Sequence, residues 1–96
     1  MADELSRVVT IVPAAGLHAR PASRVVQQAG EFESEIQIGR ADSDETVSAK
    51  SMLSVSGLAA EQGEAVRLVA DGPDAEQALD ALEAILTTPE DGEDDE

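Results

Sequence analysis

Residues 16–23 read Gly, Leu, His, Ala, Arg, Pro, Ala, Ser, and they hold the only histidine of a chain that has no cysteine. A helix leaves its first backbone N–H groups without helical partners. With the aligned peptide dipoles these amides make a small positive field that suits an anion, phosphate above all. Pro21 is at home in a first helical turn, where its missing N–H has no helical partner to lose. Behind it Ala22, Val25, Val26 and Ala29 recur at helical spacing and Gly30 follows as a stop. A helix over about residues 19–30 is therefore expected, with His18 near its N-cap.

The positive field of a helix start disfavours a second positive charge, so the expectation for an imidazole there is the neutral ring, with one nitrogen free to attack. If it attacked a phosphoryl group, the dianion produced would meet the first-turn amides and the guanidinium of Arg20, a planar donor well matched to phosphate oxygens. These residues fit a histidine that is itself phosphorylated. For a histidine in an arbitrary sequence the plainer reading is a cap or surface residue; Gly, His, Arg and Pro in this order favour the chemistry. Ser23 reads as a first-turn backbone partner, since no general base is evident beside it.

The remaining elements follow from hydrophobic periodicity. Residues 6–13 are rich in Val, Ile and Thr and read as a first strand ended by Pro13, with residues 14–17 as the loop into the helix. Phe32, Ile36 and Ile38 alternate with Glu33, Glu35 and Gln37, the period of a half-buried strand. Residues 39–44 are turn chemistry, and a strand around residues 45–49 follows. Ser51 can cap a short helix whose apolar residues are Met52, Leu53, Val55 and Leu58. Residues 61–64 turn the chain into a fourth strand, with Val66, Leu68 and Ala70 on one face and Arg67 and Val69 on the other. Residues 71–74 start a last helix whose Ala75, Ala78, Leu79, Leu82, Ile85 and Leu86 fit the helical template, and residues 87–89 stop it. The order is β-α-β-β-α-β-α. Strands with one apolar face need cover on one side only, so the expectation is an α+β fold with helices on one face of an antiparallel sheet. Residues 89–96, whose last seven are six acids and one glycine, are expected to form a disordered tail beyond a single domain of residues 1–88.

Composition narrows the function classes. Leu, Ile, Val and Phe number 22 of 96, which supports a core, but a thin one. Without cysteine there is neither disulfide nor thiolate metal site, and one histidine cannot build a zinc site on its own, so no metal or cofactor is called for. The formal net charge is −15, from 21 acids against five arginines and one lysine. Nucleic acid and anionic membranes are poor partners for such a surface. Self-repulsion at this density weakens the compact state unless salt screens it, which points to a halophilic source; without the tail's six acids the charge is still −9. No apolar run reaches the length of a membrane span, and the basic-then-apolar pattern of a signal peptide is missing, so a cytoplasmic protein without membrane insertion is expected.

Gly16, Leu17, His18, Ala19, Arg20, Pro21 and Ala22 together resemble the active-site signature of HPr, the histidine-containing phosphocarrier family of the phosphoenolpyruvate-dependent sugar phosphotransferase system. Residues 47–53, Val, Ser, Ala, Lys, Ser, Met and Leu, resemble the family's second signature, whose serine is a regulatory phosphorylation site in some bacteria. The resemblance covers about residues 5–88. It implies an open-faced β-sandwich, a four-stranded antiparallel sheet with three helices on one face. It further implies that His18 accepts phosphate on Nδ1 from the phosphohistidine of Enzyme I and passes it to a IIA-type component, for sugar uptake, fructose being one candidate, or for dihydroxyacetone phosphorylation. Such a chain is a stoichiometric carrier and no enzyme in its own right; a monomer is expected. Arg20 would stabilise the transferring group, while Gly16, Leu17, Ala19 and Pro21 shape the site.

Three features keep two readings each. Ser51 is an N-cap by position and a regulatory phosphorylation site by resemblance. Met52, Leu53, Val55 and Leu58 are either all core or in part a surface that docks partners, as the family's surface between its first two helices does. Arg24 is a helix-surface charge or a contact to an acidic partner. Lys50 reads as a solvated charge. Ser54 and Ser56 stand where bacterial relatives often carry glycine and a larger apolar residue, which bears on partner specificity. Two other function classes compete with the carrier. One is a regulatory interaction module acting through Ser51 and the helix of residues 51–58; an intact His18 argues against it as sole function. The other is a small-molecule-binding domain with His18 as a ligand contact, weakened by the lack of polar and aromatic groups to line a pocket.

Overall fold

The structure, a computed structural model, describes residues 4–89. Seven elements follow one another: β1 (Glu4–Thr10), α1 (Ala19–Ala29), β2 (Glu35–Arg40), β3 (Val47–Ser48), α2 (Met52–Gly57), β4 (Ala65–Asp71) and α3 (Ala75–Leu86). The four strands form one sheet in the order β1-β4-β2-β3, and every neighbouring pair is antiparallel. Val66, Leu68 and Ala70 of β4 and Ile36 and Ile38 of β2 are buried under the helices together with Val9 of β1. The opposite face carries Val8, which is exposed, and the half-buried Gln37, Arg67 and Val69. This is the expected α+β sandwich with one open face: each strand offers one apolar side, and three helices cover it.

The helices close the core with their apolar stripes. Ala22, Val25 and Ala29 of α1 and Ala78, Leu79, Leu82 and Leu86 of α3 are buried, whereas α2 buries only Val55. In the helical layer α1 lies between α2 and α3 and packs on both. Alanine is prominent on these stripes, and the one aromatic residue of the chain, Phe32, packs half-buried against the core.

Strand boundaries differ from the sequence expectation for definable reasons. The first strand spans Glu4–Thr10 instead of residues 6–13, because its partner β4 begins at Ala65, opposite Thr10. Beyond that point the Ile11 N–H donates to the carbonyl of Glu64 (2.9 Å) and the Val12 N–H to that of Leu86 (2.8 Å), so the chain leaves the sheet toward the end of α3. The second strand starts at Glu35, not at Phe32, and runs through Gly39 to Arg40, where a turn was expected. Asp74 explains the late start. Its carboxylate accepts the N–H of Glu33 and of Ser34 (both 2.9 Å) and the Ser34 hydroxyl (2.5 Å), and the Asp74 N–H donates back to Ser34 Oγ (3.2 Å). Those amides are spent on a side chain forty residues away and cannot join the ladder. The third strand shrinks to Val47–Ser48, and α2 ends at Gly57 with Leu58 as its C-cap.

Candidate functional site

His18 is the N-cap of α1, with extended backbone (φ −134°, ψ 167°) and no capping bond from its side chain. The imidazole is thus left to other work at the mouth of the helix, half-buried. The first helical bond runs from the Ala22 N–H to the His18 carbonyl (3.4 Å). Pro21 is buried in that first turn and offers no N–H, while Ala19 and Arg20 stand exposed beside the histidine. Ala19 enters the helix in the left-handed region (φ +50°), a conformation that costs a residue with a Cβ roughly 1–2 kcal/mol.

The loop before the histidine is pinned from below. The Gly16 N–H donates to the Pro13 carbonyl (2.9 Å), closing a turn, and the Leu17 N–H donates to the Ala60 carbonyl just beyond α2 (2.8 Å). Leu17 is fully buried, so its side chain anchors the loop in the core immediately before His18. Gly16 has φ +72°, and a Cβ there would lie 2.8 Å from the Ala60 carbonyl oxygen and 3.0 Å from Glu61 Cα. Only glycine fits that approach. Val12 is held on both sides, its carbonyl accepting from Gln62 Nε2 (2.9 Å) and its N–H donating to Leu86. Arg40 fastens the exit of α2: it donates to the carbonyls of Leu58 (3.3 Å) and Ala59 (3.4 Å) and pairs with Glu64 (2.9 Å). That bond to the Arg40 guanidinium, with a backbone N–H from Glu61, holds the Glu64 carboxyl below the usual carboxylate range.

Gly16, Leu17, His18, Ala19, Arg20 and Pro21 are therefore gathered around one helix start. The other residues singled out lie on its flanks. Ser51 is the N-cap of α2, its hydroxyl accepting from the Ser54 N–H (3.3 Å), which is the capping role foreseen for it. The four apolar residues of that segment divide: Val55 is buried and Leu58 half-buried, but Met52 is 41% and Leu53 86% exposed, so they are not all core. Arg24 is exposed one turn after Arg20 and lines a groove with Gln27, Gln28, Glu31 and Ile85 of α3, on the far flank of α1 from α2. Lys50 is exposed, yet it does more than carry a solvated charge, since Nζ donates to the Phe32 carbonyl (3.1 Å). No residue pattern marks Ala60 as the anchor of the histidine loop, because the contact is made by a backbone carbonyl. Among the described residues no group of three or more His, Cys, Asp or Glu side chains is placed to hold a metal ion, and no helix is long and apolar enough to cross a membrane.

A small open-faced sandwich that sets its one histidine at a pinned helix start, over an otherwise acidic surface, has the form of a phosphocarrier domain. The family model for the phosphotransferase-system HPr component phosphorylation site matches residues 5–88. The phosphocarrier protein HPr of Haloferax volcanii is 59% identical over 86 residues, covering 90% of this chain and 97% of that one. The multiphosphoryl transfer protein of Vibrio cholerae is 44% identical over 68 residues, which make up 17% of that much longer chain. The crystal structure of a phosphocarrier protein HPr from Bacillus anthracis superposes with a TM-score of 0.82 at 36% identity, covering 88% of this chain and 98% of that one. The chain belongs to the HPr family, the phosphocarriers of the phosphotransferase system.

Proposed function

We propose that this chain carries phosphate on His18 between Enzyme I and a IIA-type component. A ring nitrogen of His18 attacks the phosphorus of the donor's phosphohistidine; the new N–P bond forms as the donor's N–P bond breaks, and the donor imidazole leaves with its electron pair. The same exchange run onward delivers the phosphoryl group to the acceptor. Bond type is conserved at the Enzyme I step, which keeps the relay reversible. The observation that carries this reading is the position of His18 as an N-cap whose ring caps nothing, next to exposed Arg20 on a loop held by Gly16 and Leu17. The field of the helix start receives the dianion, Arg20 supplies planar donors to its oxygens, and Ala19 and Pro21 shape the wall. Nδ1 is the nitrogen assigned to the phosphate by family resemblance.

Partners dock, in this reading, on the apolar surface of α2, where Met52 and Leu53 are exposed, with Val55 supporting it from below and Arg24 meeting acidic groups at the other edge. The acceptor feeds uptake of a sugar such as fructose or phosphorylation of dihydroxyacetone, and the working unit is a cytoplasmic monomer of about residues 1–88 in a salt-rich cell. Ser51 beside the docking residues supports a secondary, regulatory reading, since a phosphate at that helix start would set negative charge against an incoming acidic surface. The deciding experiment is intact mass after incubation with phosphoenolpyruvate and the cognate Enzyme I in high salt. One acid-labile phosphate on the wild type and none on His18→Ala is expected; a folded wild-type chain that takes none from an active Enzyme I would overturn the carrier reading.

A further inference from the structure

The Leu17 N–H that holds the histidine loop is bonded to one end of a peptide unit whose other end is also engaged. That unit joins Ala60 to Glu61. Its carbonyl accepts from Leu17 (2.8 Å), and its N–H donates to Glu64 Oε1 (2.9 Å). Because a peptide is planar, a carboxylate that fixes the direction of the N–H also fixes the direction of the carbonyl. The buried methyl of Ala60 sets the depth of the segment but not the tilt of that plane. The backbone bond from the Glu64 N–H to the Glu61 carbonyl (2.9 Å) closes the turn and acts on the following peptide.

The Glu64 carboxylate is itself held. Its Oε2 accepts from Arg40 Nη2 (2.9 Å), while Arg40 Nη1 donates to the carbonyls of Leu58 (3.3 Å) and Ala59 (3.4 Å) and Nε lies 3.6 Å from Asp42 Oδ1. Arg40 ends β2, so these bonds run from the sheet to the exit of α2, a six-residue helix that buries only Val55. They meet the chain where it needs support. Ala59 stands in the left-handed region (φ +54°), which a residue with a Cβ takes only when its surroundings hold it there. A continuous series of bonds thus leads from Arg40 through Glu64 and the Ala60–Glu61 peptide to Leu17, the residue before His18. Each bond polarises the next, and a charge-assisted one lies at the head.

Resting on the carrier reading above, we infer that Glu64, oriented by Arg40, is a positioning residue for phosphate transfer: it aims the Ala60 carbonyl at Leu17 and so sets His18 at the helix start. It acts through the backbone alone. Its removal tilts the peptide and loosens the loop while the side chains that meet phosphate stay the same.

The test compares three variants of the full chain in high salt: Glu64→Ala, which removes the acceptor of the Glu61 N–H, Glu64→Gln, whose amide oxygen can still accept it, and Arg40→Gln. Arg7→Gln is the control, because Arg7 also pairs with two carboxylates, Asp80 (2.8 Å) and Glu83 (2.7 Å), but on α3. In native-state hydrogen exchange the Leu17 amide of Glu64→Ala and of Arg40→Gln is expected to exchange about tenfold faster relative to that of buried Leu68, as for the loss of about one hydrogen bond. Glu64→Gln should restore most of the protection, and Arg7→Gln should leave the ratio of Leu17 to Leu68 unchanged. Phosphate transfer from the cognate Enzyme I should show a lower kcat in Glu64→Ala at an unchanged KM, since the exposed Met52 and Leu53 remain in place. An unchanged exchange ratio in the folded variants, or a transfer loss carried wholly by KM, would overturn the inference. A wild-type chain that takes no phosphate would overturn the carrier reading instead, and the exchange ratios alone would then decide whether Glu64 pins the loop.

Discussion

Gly16→Ala tests whether the histidine loop owes its position to the close approach at Ala60. The substitution carries two costs. Its φ of +72° holds alanine in the left-handed region, roughly 1–2 kcal/mol. The new Cβ also meets the Ala60 carbonyl oxygen at 2.8 Å and Glu61 Cα at 3.0 Å, and both are backbone atoms that yield only if the loop and the exit of α2 part; overpacking of this kind costs about 1–3 kcal/mol. Gly63 provides the control, with φ +90° and nothing within 4 Å of a Cβ. Gly63→Ala bears the backbone cost alone, and both variants share the same gain from a stiffer unfolded chain. Urea unfolding in high salt should therefore find Gly16→Ala less stable than Gly63→Ala by about 1–3 kcal/mol, and thermal unfolding should separate them by about 4 °C or more. A difference below about 0.5 kcal/mol, the usual scatter of surface substitutions, would refute the steric argument and with it the pinning of the loop.

Asp74 is held below its ordinary value by the Ser34 hydroxyl and then by the N–H of Glu33 and other backbone donors, so its contribution to stability is complete above 3.8 and is lost as pH falls through its depressed folded value. Urea midpoints of wild type and Asp74→Asn should accordingly converge on acidification, and a gap that stays constant from neutral to acid pH would count against the lock. Leu53→Ser, at an 86% exposed position, should leave stability within about 0.5 kcal/mol while slowing phosphate exchange with a partner protein; unchanged exchange would remove α2 from the docking surface. With a net charge of −15, the unfolding midpoint and the transfer rate should both rise as KCl goes from about 0.1 M to molar concentrations, where the screening length falls from about 10 Å to about 3 Å. Equal values across that range would exclude self-repulsion as the limiting term.

What was legible in the sequence was what depends on local pattern. Six apolar residues at helical spacing marked α3, and the conjunction of His18, Pro21 and Gly30 placed α1 and its cap. Ser51 was readable as a cap because capping is decided within three residues. The departures come from partners far away in the chain. Phe32 and Glu33 alternate as a strand would, yet Asp74 takes the amides of Glu33 and Ser34, and no periodicity distinguishes a ladder bond from a carboxylate. The exposure of Met52 and Leu53 was undecidable for a similar reason, since a six-residue helix has too few turns to define its buried face. The anchor at Ala60 is a bare carbonyl, and side-chain type is silent on it.

The sheet order sets a timetable for making the site. One of the two inner strands, β4, is the last of the four to be synthesised, and β1 and β2 touch only through it. Before residue 71 emerges, the first two long strands have no complete common partner. Thr10 and Ala65 close a loop of more than fifty residues when they pair, an entropic cost that grows only slowly with length but must be met before any of the core is gained. A nascent chain therefore completes the helix start that bears His18 late, although the histidine itself is among its first twenty residues. Fusions or truncations that delay or weaken β4 should consequently abolish the site as a whole instead of degrading it by parts.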